Sequence, residues 1–259
     1  MITIKTNQKG VFMKNQIEAM VGFIKNYVTT AHADGVVLGM SGGKDSLVVA
    51  KLCTLALGSE NVFGVILPNG KMLDQSVAQE HCELLNIPHT VIDIAPSYDE
   101  VVSKTEEVVG EGNVKSVSTI NIAPRLRMTY LYSIAGSKNA LVANTSNLSE
   151  IMIGYSTKWG DGVGDFAPLA DLTKTEVCEL GEALGLPLKY VLKKPDDGLS
   201  GVSDEDKLGF SYDELDAFIR TGSIGPNFEK IKRLHQINTH KRSFLPKFKT
   251  GLINYFESK

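Results

Sequence analysis

Cysteine is scarce in this chain of 259 residues: Cys53, Cys82 and Cys178 are an odd count, set far apart, with no C-x-x-C among them. That pattern argues against a disulfide framework and against a zinc or iron–sulfur site, and all three read as buried thiols. Positive charge is not in excess either. With 27 Lys+Arg against 30 Asp+Glu the net charge is −3, so no global field favours nucleic acid or an anionic membrane. Stretches without a charged side chain, such as 139–149, fall far short of the ~20 apolar residues that span a bilayer. The start, Met1-Ile2-Thr3-Ile4-Lys5, lacks the apolar segment of a secretory signal. These absences lead us to expect a cytoplasmic protein with neither membrane nor nucleic acid as partner.

What is present is an ordinary globular composition, 42% hydrophobic and 22% charged, with a sizeable core available. An N-terminal helix reads from Asn15 to Tyr27, and short apolar runs then alternate with helical patterns. The strand candidates are 35–39, 62–67, 90–93 and 140–143, separated by helices over 45–57, 74–86 and 125–135. Strands apolar on both faces imply a parallel sheet covered on both sides. The expected fold is therefore α/β, a doubly wound and mostly parallel sheet whose ligands bind at the carboxyl ends of the strands. No repeat, low-complexity tract or clear linker divides the chain, which reads as a single domain over 1–259. Two glycine-containing polar segments, about 154–166 and 193–209, read as loops that carry function. Capping boxes at Thr173–Glu176 and Ser211–Glu214 mark where helices resume.

The strongest chemical signal is Gly39-Met40-Ser41-Gly42-Gly43-Lys44-Asp45-Ser46, placed after the first strand and opening a helix. Free amides and a positive dipole end suit a phosphate there. Only three residues separate Gly39 from Gly43 and Asp45 follows Lys44, so the segment is not a Walker A loop, nor is it a dinucleotide G-x-G-x-x-G. A carboxylate at Asp45 would repel bare pyrophosphate, which suggests Mg²⁺ between them.

The Ser-Gly-Gly-x-Asp-Ser order resembles the pyrophosphate-loop ATP pyrophosphatases, of adenine nucleotide alpha hydrolase-like, Rossmann-like fold. Five later segments narrow this. Asn144–Glu150, Gly154–Gly162, Leu172–Glu176, Asp204–Gly209 and His240–Arg242 together look like the successive signatures of ammonia-dependent NAD synthetase, in order from about residue 15 to the C-terminus. The resemblance implies a ligase that activates the carboxylate of deamido-NAD with ATP as an acyl adenylate, releases pyrophosphate, and lets ammonia displace AMP to give NAD.

By the resemblance, Gly39, Met40, Ser41, Gly42, Gly43, Lys44, Asp45 and Ser46 cradle the ATP phosphates. Thr145, Lys174 and Asp196 are further ATP contacts, and Asp45 and Glu150 hold Mg²⁺. Arg125, Lys158, Asp165, His240 and Lys241 are matched to deamido-NAD. Arg125 and Arg127 cannot share a helix face, and the resemblance selects Arg125. Asp161 or Asp165 would bind ammonium and accept its proton, so Asp45, Lys174 and Asp161 are the catalytic candidates. On charge alone Glu150 would read as a solvated residue at a helix start, and Lys174 is badly placed at a helix N-terminus unless an anion accompanies it. Family members are homodimers with the dinucleotide at the interface, where the apolar residues Met128, Tyr130, Leu131 and Ile134 of the 125–135 helix are the expected contact. The chain departs from the pattern at Asn144, where relatives have Gly, and at Asp196, where they have Ser or Thr. An acid beside phosphates needs a metal or a changed path of the 193–209 lid, which is expected to move before ATP binds. Rival readings are another pyrophosphate-loop enzyme, such as a tRNA-thiolating one, and a non-catalytic ATP sensor. The lack of C-x-x-C opposes the first; Asp45, Glu150, Lys158 and Lys174 together oppose the second.

Overall fold

A computed structural model describes residues 6–193, 203–243, 245, 246 and 248, with side chains from residue 13 onward. The chain order is α1 (Thr6–Thr30), β1 (Gly35–Gly39), α2 (Lys44–Leu57), β2 (Val62–Ile66), α3 (Gln75–Leu84), β3 (His89–Val91), α4 (Ala95–Val109), α5 (Ser116–Ile120), α6 (Ile122–Ser137) and β4 (Ala140–Val142). There follow α7 (Leu148–Ile153), α8 (Lys174–Ala183), α9 (Leu188–Val191), α10 (Asp204–Leu208), α11 (Tyr212–Thr221), α12 (Phe228–Ile237) and α13 (Thr239–Arg242).

The four strands form one parallel sheet in the order β3-β2-β1-β4. Because β-strand side chains alternate between faces, Val36 and Leu38 of β1 join the core under α1, α2 and α8, while Val37 joins the core under α6. This is the double burial that the continuous apolar runs imply. The chain steps from β1 out to β2 and β3, then returns past the start to β4. The switch point lies between β1 and β4, and in sheets of this kind the ligand crevice lies at the carboxyl ends of the strands there. A parallel bridge from Ala143 to Phe166 extends the sheet there.

Four expectations need correction. Of the apolar residues of α6 named for a subunit interface, Met128 and Leu131 are buried in this chain's own core, and Tyr130 and Ile134 pack against that core half-buried. Cys178 is half-buried, unlike Cys53 and Cys82. Residues 204–208 of the expected lid are helix, because Ser203 accepts the amide of Asp206 at 3.1 Å and three acids fill the first turn, where the dipole favours them. Ser211 does cap α11 by accepting the Glu214 amide, but Glu214 does not close the box. Its carboxylate takes the backbone and side-chain amides of Asn227. The box at Thr173–Glu176 is complete and starts α8 at Lys174. No described helix is long and apolar enough to cross a membrane.

Candidate active site

The glycine-rich loop leaves β1 at Gly39 and enters α2 through Gly43. Its shape is set by hydroxyls. Ser41 Oγ accepts the Gly43 amide at 3.2 Å, Ser46 Oγ donates to the Gly43 carbonyl at 3.0 Å, and the two hydroxyls lie 3.2 Å apart. Gly42 has φ +78°, and a Cβ there would stand 2.7 Å from Asp74 Cβ and 2.8 Å from its carbonyl oxygen. Only glycine fits a left-handed position this tightly covered. Met40 packs its side chain into the core and donates its amide to Val65, so its side chain faces away from the loop's concave side. Lys44 is buried, yet no described group pairs with its ammonium.

Next to the loop lie two carboxylates and one lysine from three elements. Lys174 Nζ donates to Asp45 Oδ2 at 2.8 Å and to Glu150 Oε1 at 2.7 Å. The lysine side chain is 6% exposed and each carboxylate 17%. Burial alone would lower the lysine pKa, but the two carboxylates overcome it and hold Lys174 well above its ordinary value. Burial raises the Glu150 pKa, with Lys174 opposing and Asp45 adding to the rise. The anion that accompanies Lys174 at its helix N-terminus is thus this carboxylate pair. Two acids and one lysine leave the cluster with a surplus negative charge. Two hard oxygens converging on one cation are the donor set a divalent metal takes, completed by phosphate oxygens and water. Asp45 and Glu150 therefore fit Mg²⁺.

Glu150 is not a solvated charge. Asn147 and Glu150 form a capping box on α7, and Asn147 Nδ2 also donates to Asp45 Oδ1 at 3.2 Å. Behind them, Asp216 of α11 accepts from Ser149 of α7 and from the amide and hydroxyl of Thr175 of α8, which locks the two helices that carry Glu150 and Lys174. Sequence reasoning missed Asn147 and Asp216. The Asn-x-x-Glu spacing could have exposed the first; the second joins residues 41 apart in sequence and left no local signal.

On the other side of the crevice the 154–166 loop is tied down. Asn144 Nδ2 donates to the carbonyls of Asp161 and Val163, both at 2.9 Å, so the residue that replaces glycine in the pattern stitches this loop to β4. Asp165 accepts the Val142 amide at 2.7 Å and braces the strand end. Asp161 accepts the Thr157 amide at 2.7 Å. The residue is exposed as a whole, but desolvation of its carboxyl inside the loop raises its pKa, opposed by that amide and by Arg127 and Lys241. Lys241 donates to the carbonyls of Gly154 and Ser156, each at 2.7 Å. Arg125 Nε lies 3.3 Å from the Lys158 carbonyl. Lys158, Trp159 and Lys241 line a groove of about 200 Å³ with Ser156, Gly162 and Arg242. Trp159 holds φ +64°, uncommon for a bulky residue, and Lys158 Nζ stands 5.3 Å over its ring. His240 is exposed on α13 beside this groove's Lys241. Thr145 is half-buried after β4. Asp196 lies outside the described residues.

Residues 16–246 match the model of the NAD synthase family. This chain belongs to that family. It is 41% identical over 239 residues to an NH(3)-dependent NAD(+) synthetase of Archaeoglobus fulgidus, covering 89% of this chain and 94% of that one. Among solved structures it resembles the NMN synthetase of Francisella tularensis, with TM-score 0.83 and 36% identity over 91% of this chain and 99% of the other. It also resembles the NH3-dependent NAD synthetase of Campylobacter jejuni, with TM-score 0.74 and 31% identity over 92% and 99%.

Proposed function

We propose that this chain is an ammonia-dependent NAD synthetase, amidating the pyridine carboxylate of deamido-NAD at the expense of ATP. The observation that carries the reading is the buried Asp45–Lys174–Glu150 cluster beside the glycine-rich loop, in a chain of this family. Two anions must meet, a carboxylate and the α-phosphate of ATP, and fixed cationic groups lower the barrier to that approach. Asp45 and Glu150 would hold Mg²⁺, which when bound neutralises phosphate charge. Lys174 would then turn from the carboxylates to the phosphates, and the amides of Ser41 to Ser46 would receive the departing pyrophosphate. Thr145 and Asp196 are assigned to ATP. Arg125, Lys158, Asp165, His240 and Lys241 are assigned to the acyl substrate, a role supported for Lys158 and Lys241 by their shared groove. Asp161, whose carboxyl is held above its usual pKa, is the group we assign to accept a proton from ammonium.

A second reading is favoured by one observation: the likeness to the NMN synthetase, at TM-score 0.83, exceeds that to the dinucleotide enzyme, at 0.74. The acyl substrate would then be nicotinate mononucleotide. Pyrophosphate release from Mg-ATP, measured with ammonium and each of the two acids in turn, separates the readings. Release with neither acid sinks both. We further propose a cytoplasmic homodimer; exposed Val108, Val117 and Ile120 are apolar surface on α4 and α5 that such an interface would cover.

A further inference from the structure

Helix α6 carries two arginines, and the structure gives them different surroundings. Arg125 is exposed. Arg127 is two positions on, about 200° around the helix, and shares the inner face with Leu131 and Ile134, four and seven residues ahead. It is half-buried. Its Nε donates to the carbonyl of Leu67 at 2.9 Å, just beyond the carboxyl end of β2. Leu131, one turn along, reaches to within 3.5 Å of where a Gly39 Cβ would lie, so this stretch of α6 crosses the end of β1. The bond at Nε holds the guanidinium beside the carboxyl end of β2 and leaves both Nη groups without a hydrogen bond to any described group. Among the described residues no carboxylate comes within ion-pair distance of Arg127; Asp161 is the acid that faces it. A desolvated cation with its terminal donors unpaired is unfavourable by itself and is the arrangement that a ligand anion completes.

The position also says which anion. Asp45, Lys174 and the glycine-rich loop belong to the α2 side of the sheet, where the phosphates are assigned. Arg127 comes from the α6 side and faces Asp161 and the 154–166 loop. A planar fork with two parallel donors matches a carboxylate. We infer that Arg127 binds the carboxylate of the acyl substrate, opposite Asp161. This rests on the amidation reading above. One carboxylate oxygen attacks the α-phosphorus and pyrophosphate leaves with the phosphorus–oxygen bond. The other oxygen stays on Arg127 as the acyl carbonyl. Ammonium gives a proton to Asp161, ammonia adds to the acyl carbon, and the carbonyl oxygen takes the negative charge against the guanidinium. Collapse of that oxyanion expels AMP with the first oxygen, and the remaining excess proton on nitrogen leaves with the AMP phosphate, giving the neutral amide.

The test compares wild type with Arg127→Gln and Arg127→Lys. Turnover of the wild type with ammonium and the acid is the control: if it is absent, the amidation reading fails and Arg127 is not at issue. With turnover present, Arg127→Gln is expected to raise KM for the acid and lower kcat/KM by about 10- to 100-fold, the loss of one charged hydrogen-bonded contact, with KM for ATP changed less than about threefold. The decisive readout is binding of the acid against its amide product by calorimetry. Wild type should prefer the acid, and the Gln variant should bind both alike. If Gln does not fold, Lys is read instead, with an intermediate preference expected because charge is kept and the fork is lost. An unchanged acid-to-amide preference, or a loss confined to KM for ATP, overturns the inference.

Discussion

Replacing Lys174 by Met removes the cation between Asp45 and Glu150 with little change in helix propensity or volume. Two carboxylates, each only 17% exposed, are left facing each other. Deleting one partner of a buried ion pair typically costs about 3–5 kcal/mol. The structure supplies a ceiling, because one of the acids can take a proton. Lifting a carboxyl of ordinary pKa near 4.3 to its protonated form at pH 7 costs about 3.7 kcal/mol, at 1.36 kcal/mol per unit. The predicted loss is therefore about 3–4 kcal/mol at pH 7. It corresponds to a drop in Tm of about 6–16 °C at the scale appropriate to a domain of this size. The sign of the pH dependence follows. In the variant the folded carboxyl pKa is raised above the unfolded one, so the folded state binds the extra proton and the deficit shrinks as pH falls, by about 1.4 kcal/mol per unit between pH 7 and 5. In wild type the raised Lys174 pKa contributes stability that persists through this range and is lost only when alkali exceeds it. Urea denaturation at pH 5, 6 and 7, with and without Mg²⁺, measures all of this. The metal should restore more stability to the variant than to wild type, since the competing ammonium is gone. A deficit under about 1 kcal/mol, or one independent of pH, would mean that Lys174 does not neutralise the two carboxylates in the folded state.

Gly42→Ala puts a Cβ 2.7 Å from Asp74 on a left-handed backbone; it should cost at least about 2 kcal/mol and raise KM for ATP, both checked by denaturation and steady-state kinetics. Arg220 holds Glu176 through two bonds, at 2.7 and 2.6 Å. Against the effect of burial, these bonds and the Thr173 amide keep the Glu176 carboxyl below its ordinary pKa. Arg220→Gln should then cost about 1 kcal/mol near neutrality, a modest figure because the pair is partly solvated. The gap to wild type should close in acid, as pH falls through the folded pKa of Glu176, which thermal melts at pH 3 to 7 will follow. Activity with ammonium salts should rise between pH 7 and 9 as free ammonia increases, and glutamine should substitute poorly, since Cys53 and Cys82 are buried with thiols pushed up to about 12 and neither is an activated nucleophile.

The sheet was legible because its signal is local. Apolar runs such as Val36-Val37-Leu38 can only be strands buried on both faces, and the four expected strands match those observed to within two residues. Helix α4 was not anticipated: its apolar residues are mostly exposed valines, and no described residue of it is buried, so no inward stripe stands out in the sequence. The glycine-rich loop announced itself through Gly42, where only one residue type fits. Glu150 was found by resemblance, although its helix-capping role could have been read from Asn147. The Lys174 partners lie 129 and 24 residues away, and only the fold brings them together. Arg127 was passed over in favour of Arg125, yet its spacing to Leu131 already placed it on the buried face. Met128 and Leu131 were assigned to a subunit surface for the converse reason, since an apolar stripe on α6 does not say which partner covers it, and here this chain's own core covers them.

One isotope measurement tests whether the acid is activated as an acyl adenylate. The acyl substrate is prepared with ¹⁸O in its carboxylate and turned over with Mg-ATP and ammonium, and the products are read by mass spectrometry. If the carboxylate attacks the α-phosphorus, one labelled oxygen must leave with AMP and the pyrophosphate must carry none. Label in inorganic phosphate accompanied by ADP, or unlabelled AMP, would rule out an acyl adenylate.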